Sequence, residues 1–199
     1  MTSSPSNAEA LAETTATRTT TLPPHLKRIV LTGFMGAGKS TVGRLLAEQL
    51  GWNFLDLDAH LEQRAGATIP EIFALQGEPR FRRLESTALA SALSHHHTVI
   101  ALGGGTPESL TNRLLLEQTP GTFTVFLDAP FPTLYDRCMI QALNPEATAR
   151  PVLADPEAAN LRFAARHPLY LRVAGLTLDT ADLTPHQTVG NLLNSLKMS

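Results

Sequence analysis

Gly33-Phe34-Met35-Gly36-Ala37-Gly38-Lys39-Ser40, followed by Thr41, is the stretch from which the rest of the chain can be read. It fits G-x-x-x-x-G-K-[ST], a phosphate-binding loop, and its flanks fit as well. Arg28–Thr32 is a short β-branched run of the kind that forms a buried parallel strand. Beyond Lys39, Val42, Leu45, Leu46 and Leu50 recur at helical spacing, and Gly51 is a helix stop. Glycines at 33, 36 and 38 let successive backbone N–H groups point inward without a Cβ to hold a phosphate away. The following helix adds its unpaired N–H groups and the positive end of its dipole. Gly36, Ala37, Gly38, Lys39, Ser40 and Thr41 then form a nucleotide cradle, with Lys39 toward the β- and γ-phosphates and the Ser40 hydroxyl toward Mg²⁺. The plainer alternative is a glycine-rich βα turn that binds nothing, and the strand and helix on either side weigh against it.

Composition limits the alternatives. The chain's 199 residues suffice for one well-buried α/β domain, and 43% hydrophobic with 17% charged residues is ordinary globular usage. A net charge of -2 offers no electrostatic case for nucleic acid or an anionic membrane as partner. A single cysteine, Cys138, excludes an intrachain disulfide framework and suits a reducing compartment. No stretch approaches the roughly 18–20 apolar residues of a membrane span, and no secretory signal is visible. The expectation is a cytoplasmic monomer.

Residues 1–26 are rich in Ser, Thr, Ala and Glu, end near Pro23-Pro24, and read as a disordered leader. From residue 27 to 199 the pattern is one domain alternating strand and helix. Asn53–Asp58 reads as a second strand; Ala59–Arg64, Ile69–Leu75 and Pro79–Leu93 as helices; Thr98–Leu102 as a third strand. Thr106-Pro107 has the form of an N-cap opening a helix to about Gln118. Thr122–Leu127 is a fourth strand and Pro130–Cys138 a short helix. A Pro/Ala-rich loop follows from Gln141 to Ala154, then a helix capped by Asp155 and reaching Arg166–Tyr170, and a last strand Leu176–Leu178. Thr184–Gln187 has capping-box spacing before a final helix. Five strands alternating with helices predict a parallel doubly wound sheet with ligands at the carboxyl ends of its strands.

Most of the remaining polar signals fall at those ends. Asp56 and Asp58, placed on one face by the two-residue strand period, read either as a pair that holds Mg²⁺ and accepts a substrate proton or as capping acids without a ligand. Gly103-Gly104-Gly105 would present bare backbone N–H groups to a small polar ligand, or simply form a tight βα turn. Arg82, Arg83, Arg150 and Arg166 are candidate anion contacts, Arg150 being the isolated cation of a loop suited to a lid. His95-His96-His97 reads as loop, since adjacent histidines converge poorly on one ion. Trp52 and Phe54 read as core, and Cys138 has no activating neighbour in sequence.

Together these motifs resemble the shikimate kinase family over residues 27–197: G-F-M-G-A-G-K-S-T-V-G-R at 33–44, F-L-D-L-D at 54–58, F-R-R-L-E at 81–85, L-G-G-G at 102–105, R-P-V-L at 150–153, R-H-P-L-Y at 166–170 and L-D-T at 178–180. The resemblance implies a P-loop kinase of the nucleoside monophosphate kinase-like type, with a substrate-binding insert at about 57–95 and a lid at about 138–155. It implies ATP- and Mg²⁺-dependent phosphorylation of the 3-hydroxyl of shikimate, in chorismate and aromatic amino-acid biosynthesis. By the same resemblance Lys39, Asp58 and Arg150 are catalytic; Asp58, Arg82, Gly103, Gly104, Gly105 and Arg166 bind the acceptor. Ser40 and Asp56 lie at the metal, and Arg137 and Arg150 contact the nucleotide, Arg137 against adenine. The chain departs from the pattern in its long Arg137–Arg150 segment and in lacking a basic residue just after Thr180; Arg83 beside Arg82 leaves a swap of roles open. The competing readings are a gluconate kinase or another small P-loop kinase, and a nonenzymatic kinase-like binding protein.

Overall fold

The computed structural model describes residues 22–143 and 155–197. Among these, strands β1 (Arg28–Thr32), β2 (Asn53–Asp56), β3 (Thr98–Ala101), β4 (Thr122–Asp128) and β5 (Leu176–Asp179) form one parallel sheet in the order β2-β3-β1-β4-β5. The helices are α1 (Lys39–Leu50), α2 (Leu57–Ala65), α3 (Ile69–Ala92), α4 (Leu110–Gln118), α5 (Phe131–Ala142), α6 (Pro156–Val173) and α7 (Pro185–Lys197).

Strand alternation divides the core. Ile29, Leu31 and Val99 turn to one face and pack with Val42 and Leu46 of α1 and with Val189, Leu192 and Leu196 of α7. Val30 and Ile100 turn to the other face and meet Leu61 of α2, Phe81 and Leu89 of α3, and Leu116 of α4. A sheet buried on both faces requires near-continuous apolar strands, which the β1 sequence supplies. In register, Leu31 is level with Ala101 and Val125, and Asp56 with Ala101. The loops after β1, β2 and β3 therefore open side by side along one edge.

Several sequence-based boundaries shift. The second strand ends at Asp56, which caps α2 by accepting hydrogen bonds from the backbone N–H groups of Asp58 (3.2 Å) and Ala59 (3.4 Å). Asp58 consequently lies in the first helical turn, and the two acids do not share a strand face. A capping carboxylate outcompetes one more ladder residue, because it satisfies helix donors that otherwise have no partner. The Ile69–Leu75 and Pro79–Leu93 helices join as α3, kinked where Gly77 has φ 73° and Pro79 follows. Thr106 does not cap the next helix: Thr106–Glu108 forms a 3₁₀ turn, and α4 begins only at Leu110. Helix α5 continues past Cys138 to Ala142, and the fourth strand extends to Asp128. At the N-terminal side, Leu26 is buried and Leu22 packs on the core, so the end of the expected leader joins the domain. The remainder of that leader, residues 1–21, lies outside the described residues, as does the stretch 144–154 with Arg150. His95–His97 is a loop in which His97 donates its N–H to the Lys27 carbonyl, and Trp52 and Phe54 lie against the core.

Candidate active site

The turn after β1 approaches Gly38, whose φ of 84° makes it the left-handed N-cap of α1; no side chain caps that helix end. The first-turn amides are thus left facing the loop. The Lys39 ammonium donates to the carbonyls of Gly33 (2.9 Å) and Phe34 (3.0 Å), which holds it over the loop. Beside it, Ser40 Oγ donates to Asp56 Oδ2 at 2.8 Å. A hydroxyl and a carboxylate meeting at the mouth of a phosphate loop match the donor set of a Mg²⁺ that takes its other ligands from phosphates and water. Among the described residues no group of three or more His, Cys, Asp or Glu could hold a metal ion by itself.

Next to the loop is a hollow of about 150 Å³ lined by Gly36, Gly38, Thr41, Arg137, Thr180 and Thr188, among others. Arg137 donates to the Thr180 carbonyl (2.6 Å) and the Ala181 carbonyl (2.9 Å). Its guanidinium is thereby brought to the segment after Thr180, where the sequence itself supplies no basic residue. Thr180 is in turn tied to the end of β4, its N–H and Oγ both donating to the Asp128 carbonyl. Cys138 is buried beneath the loop, with Sγ 2.9 Å from where a Cβ on Gly36 would sit.

The other side of the cleft is built from α2, α3, the triple-glycine turn and α6. Burial, helped by the negative charge of Asp56, raises the Asp58 carboxyl to about 6, against the pull of the Lys39 ammonium. A Cβ on Gly103 would come within 2.6 Å of Asp58 Oδ1, so a side chain at this turn would displace the acid. Tyr170, fully buried, donates its hydroxyl to the Gly104 carbonyl at 2.6 Å and anchors the turn to α6; burial pushes its phenol above the ordinary range. Arg82 donates to the Gly105 carbonyl at 3.4 Å and to Glu85, Glu78 and Glu108. Arg166 forks onto Glu108, Nε to Oε1 at 3.0 Å and Nη2 to Oε2 at 3.2 Å. Arg83 points outward and is exposed, so Arg82 is the arginine directed at the cleft.

Asp58, Arg82, Gly103–Gly105 and Arg166 are thus gathered on one side, and Gly36–Thr41, Asp56 and Arg137 on the other. Sequence reading missed three residues of the site: Glu85, Tyr170 and Glu108. Glu85, with a side chain only 2% exposed, holds Arg82 Nη1 at 3.1 Å and accepts from Thr106 Oγ1 at 2.9 Å. Burial raises its carboxyl although Arg82 opposes the shift. The three-residue spacing from Arg82 on a helix was an available signal for Glu85, and the four-residue spacing from Arg166 for Tyr170. Glu108 carried no such signal.

Comparison with known proteins resolves what such a cleft belongs to. A model of the family described as Shikimate kinase matches residues 35–197. The chain belongs to the shikimate kinase family. It is 41% identical to the shikimate kinase of Symbiobacterium thermophilum over 172 residues, covering 85% of this chain and 95% of that protein. It is 43% identical to the shikimate kinase of Lactococcus lactis over 161 residues, covering 81% and 93%. The solved shikimate kinase of Acinetobacter baumannii in complex with shikimate superposes with a TM-score of 0.76 at 35% identity, covering 87% of this chain and 94% of that one. A gluconokinase from Sinorhizobium meliloti matches with a TM-score of 0.53 at 19% identity, a likeness of fold alone. As a member of the shikimate kinase family the chain is an ATP-using phosphotransferase on the five-stranded P-loop kinase fold. Among its described residues no helix is long and apolar enough to cross a membrane.

Proposed function

We propose that the chain transfers the γ-phosphoryl group of ATP to the 3-hydroxyl of shikimate, giving shikimate 3-phosphate and ADP on the route to chorismate and the aromatic amino acids. The observation that carries this reading is the convergence of Arg82 and Arg166 on a single carboxylate beside the Gly103–Gly105 turn. Two planar guanidiniums aimed at one point suit an acceptor that presents a carboxyl group. A gluconate acceptor is also acidic, but the gluconokinase likeness is confined to fold.

Phosphoryl transfer leaves the protein mainly positioning and charge neutralisation. The main-chain amides of Gly36–Thr41 hold the phosphate tail, and the Lys39 ammonium follows the transferring group. Arg82 and Arg166 fix the acceptor by its carboxylate, with the Gly104 turn against its ring. Asp58 orients the acceptor hydroxyls and accepts the proton of the attacking one; a carboxyl raised to about 6 is ionised at neutral pH and still basic enough for that task. Ser40 and Asp56 would hold Mg²⁺, which when bound neutralises charge on the β- and γ-phosphates. Arg137 lies against the adenine, and Arg150 closes on the phosphates from the lid. The enzyme acts as a cytoplasmic monomer on ATP and shikimate, with neither nucleic acid nor membrane as partner.

The test is ADP release coupled to acceptor, with shikimate, quinate, gluconate and nucleoside monophosphates compared at fixed ATP and Mg²⁺. Shikimate alone should give turnover at low concentration, and removal of Mg²⁺ should abolish it. Stimulation by gluconate with none by shikimate would reject the assignment.

A further inference from the structure

Beside the triple-glycine turn, two guanidiniums meet three carboxylates. Glu78, 62% exposed, touches only the outer edge of Arg82, and Glu85 is locked in the interior. Glu108 lies between the two arginines: Oε2 is 2.7 Å from Arg82 Nη2 and 3.2 Å from Arg166 Nη2, and Oε1 is 3.0 Å from Arg166 Nε. This is the two-pronged arrangement in which a guanidinium binds any carboxylate. A Cβ on Gly105 would be 2.9 Å from Glu108 Oε2, 3.1 Å from Arg166 Nη2 and 3.1 Å from Arg82 Nη1. The Glu108 carboxylate therefore stands at the point on which both arginines are aimed.

An acceptor's carboxylate arriving there would add a fourth negative charge to two positive ones. Like charges at hydrogen-bonding range disfavour one another, and one of them has to leave. Glu85 cannot, being buried and tied to Thr106. Glu108 can: it is 35% exposed and is carried on a single 3₁₀ turn ahead of α4. Arg162, one helical turn before Arg166, also attracts it and offers an alternative partner. Partial burial raises the Glu108 carboxyl, but the Arg166 hydrogen bonds and charge, with Arg82 and Arg162, outweigh this and hold it below the ordinary range.

We infer that Glu108 is a built-in competitor for the carboxylate seat of Arg82 and Arg166, so that it sets acceptor affinity and yields the seat to an acceptor bringing a carboxylate of its own. The inference rests on the reading of those arginines as the acceptor's carboxylate contacts. When a site is open for only part of the time, apparent affinity falls by that fraction.

The experiment measures shikimate binding by calorimetry and KM by coupled assay for wild type, Glu108→Gln and Glu108→Ala, alongside Arg82→Ala and Arg166→Ala. A seat free about one tenth of the time predicts a roughly tenfold lower Kd and KM for shikimate in Glu108→Ala. Glu108→Gln, uncharged but of similar size, should fall between. The methyl ester of shikimate, lacking the negative charge, should gain much less. Unchanged or weaker shikimate binding in both Glu108 variants would overturn the inference and make Glu108 a positioning residue for the arginines. An equal gain for acid and ester would overturn it in favour of simple steric relief. If instead the two arginine variants bind shikimate normally, the reading of the seat itself fails, and that result is separate from either outcome at Glu108.

Discussion

On the side of the cleft proposed for the nucleotide, the phosphate loop comes from one uninterrupted run, Gly36–Thr41, and the groups it would offer a phosphate are largely main-chain amides. On the acceptor side, the first turn of α2 supplies Asp58, α3 supplies Arg82, the turn after β3 supplies Gly103–Gly105, and α6 supplies Arg166. Apart from the glycine turn those groups are side chains, and two of the four pieces have a visible support distant in sequence or one helical turn away: Glu85 for Arg82 and Tyr170 for Gly104. A backbone cradle tolerates changes of side chain as long as its dihedrals survive, whereas a side-chain constellation depends on the rotamers of its supports. The two halves should therefore fail differently when altered.

The largest effect is expected where the halves meet. Lys39→Ala and Asp58→Ala should each lower kcat by about 10²–10⁴-fold, because in the proposed mechanism both groups act mainly on the transition state. Rapid-quench or coupled assays at saturating ATP and shikimate check this, and a variant that lost only acceptor affinity would erase the distinction between reacting groups and anchors.

A smaller, divided effect should separate the two sides. Arg82→Ala and Arg166→Ala should raise the KM for shikimate by roughly 10–100-fold, the value of a charge-assisted contact, with little change for ATP. Arg137→Ala should do the reverse. Crossed effects, with Arg166→Ala weakening ATP or Arg137→Ala weakening shikimate, would show the two sides to be coupled rather than separately built.

The smallest effect is on stability and its pH dependence. Asp58 has a folded-state value of about 6 against an ordinary 3.8, so the native state binds its proton more tightly than the unfolded chain does. Stability from this group is complete below about pH 4, declines as pH rises toward 6, and stays reduced above. Asp58→Asn should therefore stabilise the ligand-free protein above pH 7 by about 1–2 kcal/mol, the shift's upper bound of about 3 less the lost helix-dipole interaction. The gain should vanish near pH 4. Urea unfolding at pH 4 and pH 8 reads it directly, and a pH-independent gain would mean that the acid is not strained by burial.

The same contrast explains what was legible in advance. The cradle could be read because its requirements are local: three glycines, a lysine and a hydroxyl, with strand and helix flanks, are contiguous. Asp58 and Arg82 were legible as residues, but the location of Asp58 was not, since a cap at Asp56 ended the strand two residues early. That outcome depended on which helix donors lacked partners, a property of the folded turn. The resemblance pointed to Arg82 but left a swap with Arg83 open, and only the packing of α3 against the turn after β3 directed the first of them inward.

Sequence by itself determined the alternation of strands and helices, the phosphate loop and the set of residue types, because hydrophobic period and glycine chemistry act over a few neighbours. Tertiary structure decided where the charges meet. The seat between Arg82 and Arg166, and the presence of Glu108 in it, join segments 26 and 58 residues apart. Coulombic pairing depends on distance through space, and that distance was fixed only when α3, α6 and the triple-glycine turn packed together.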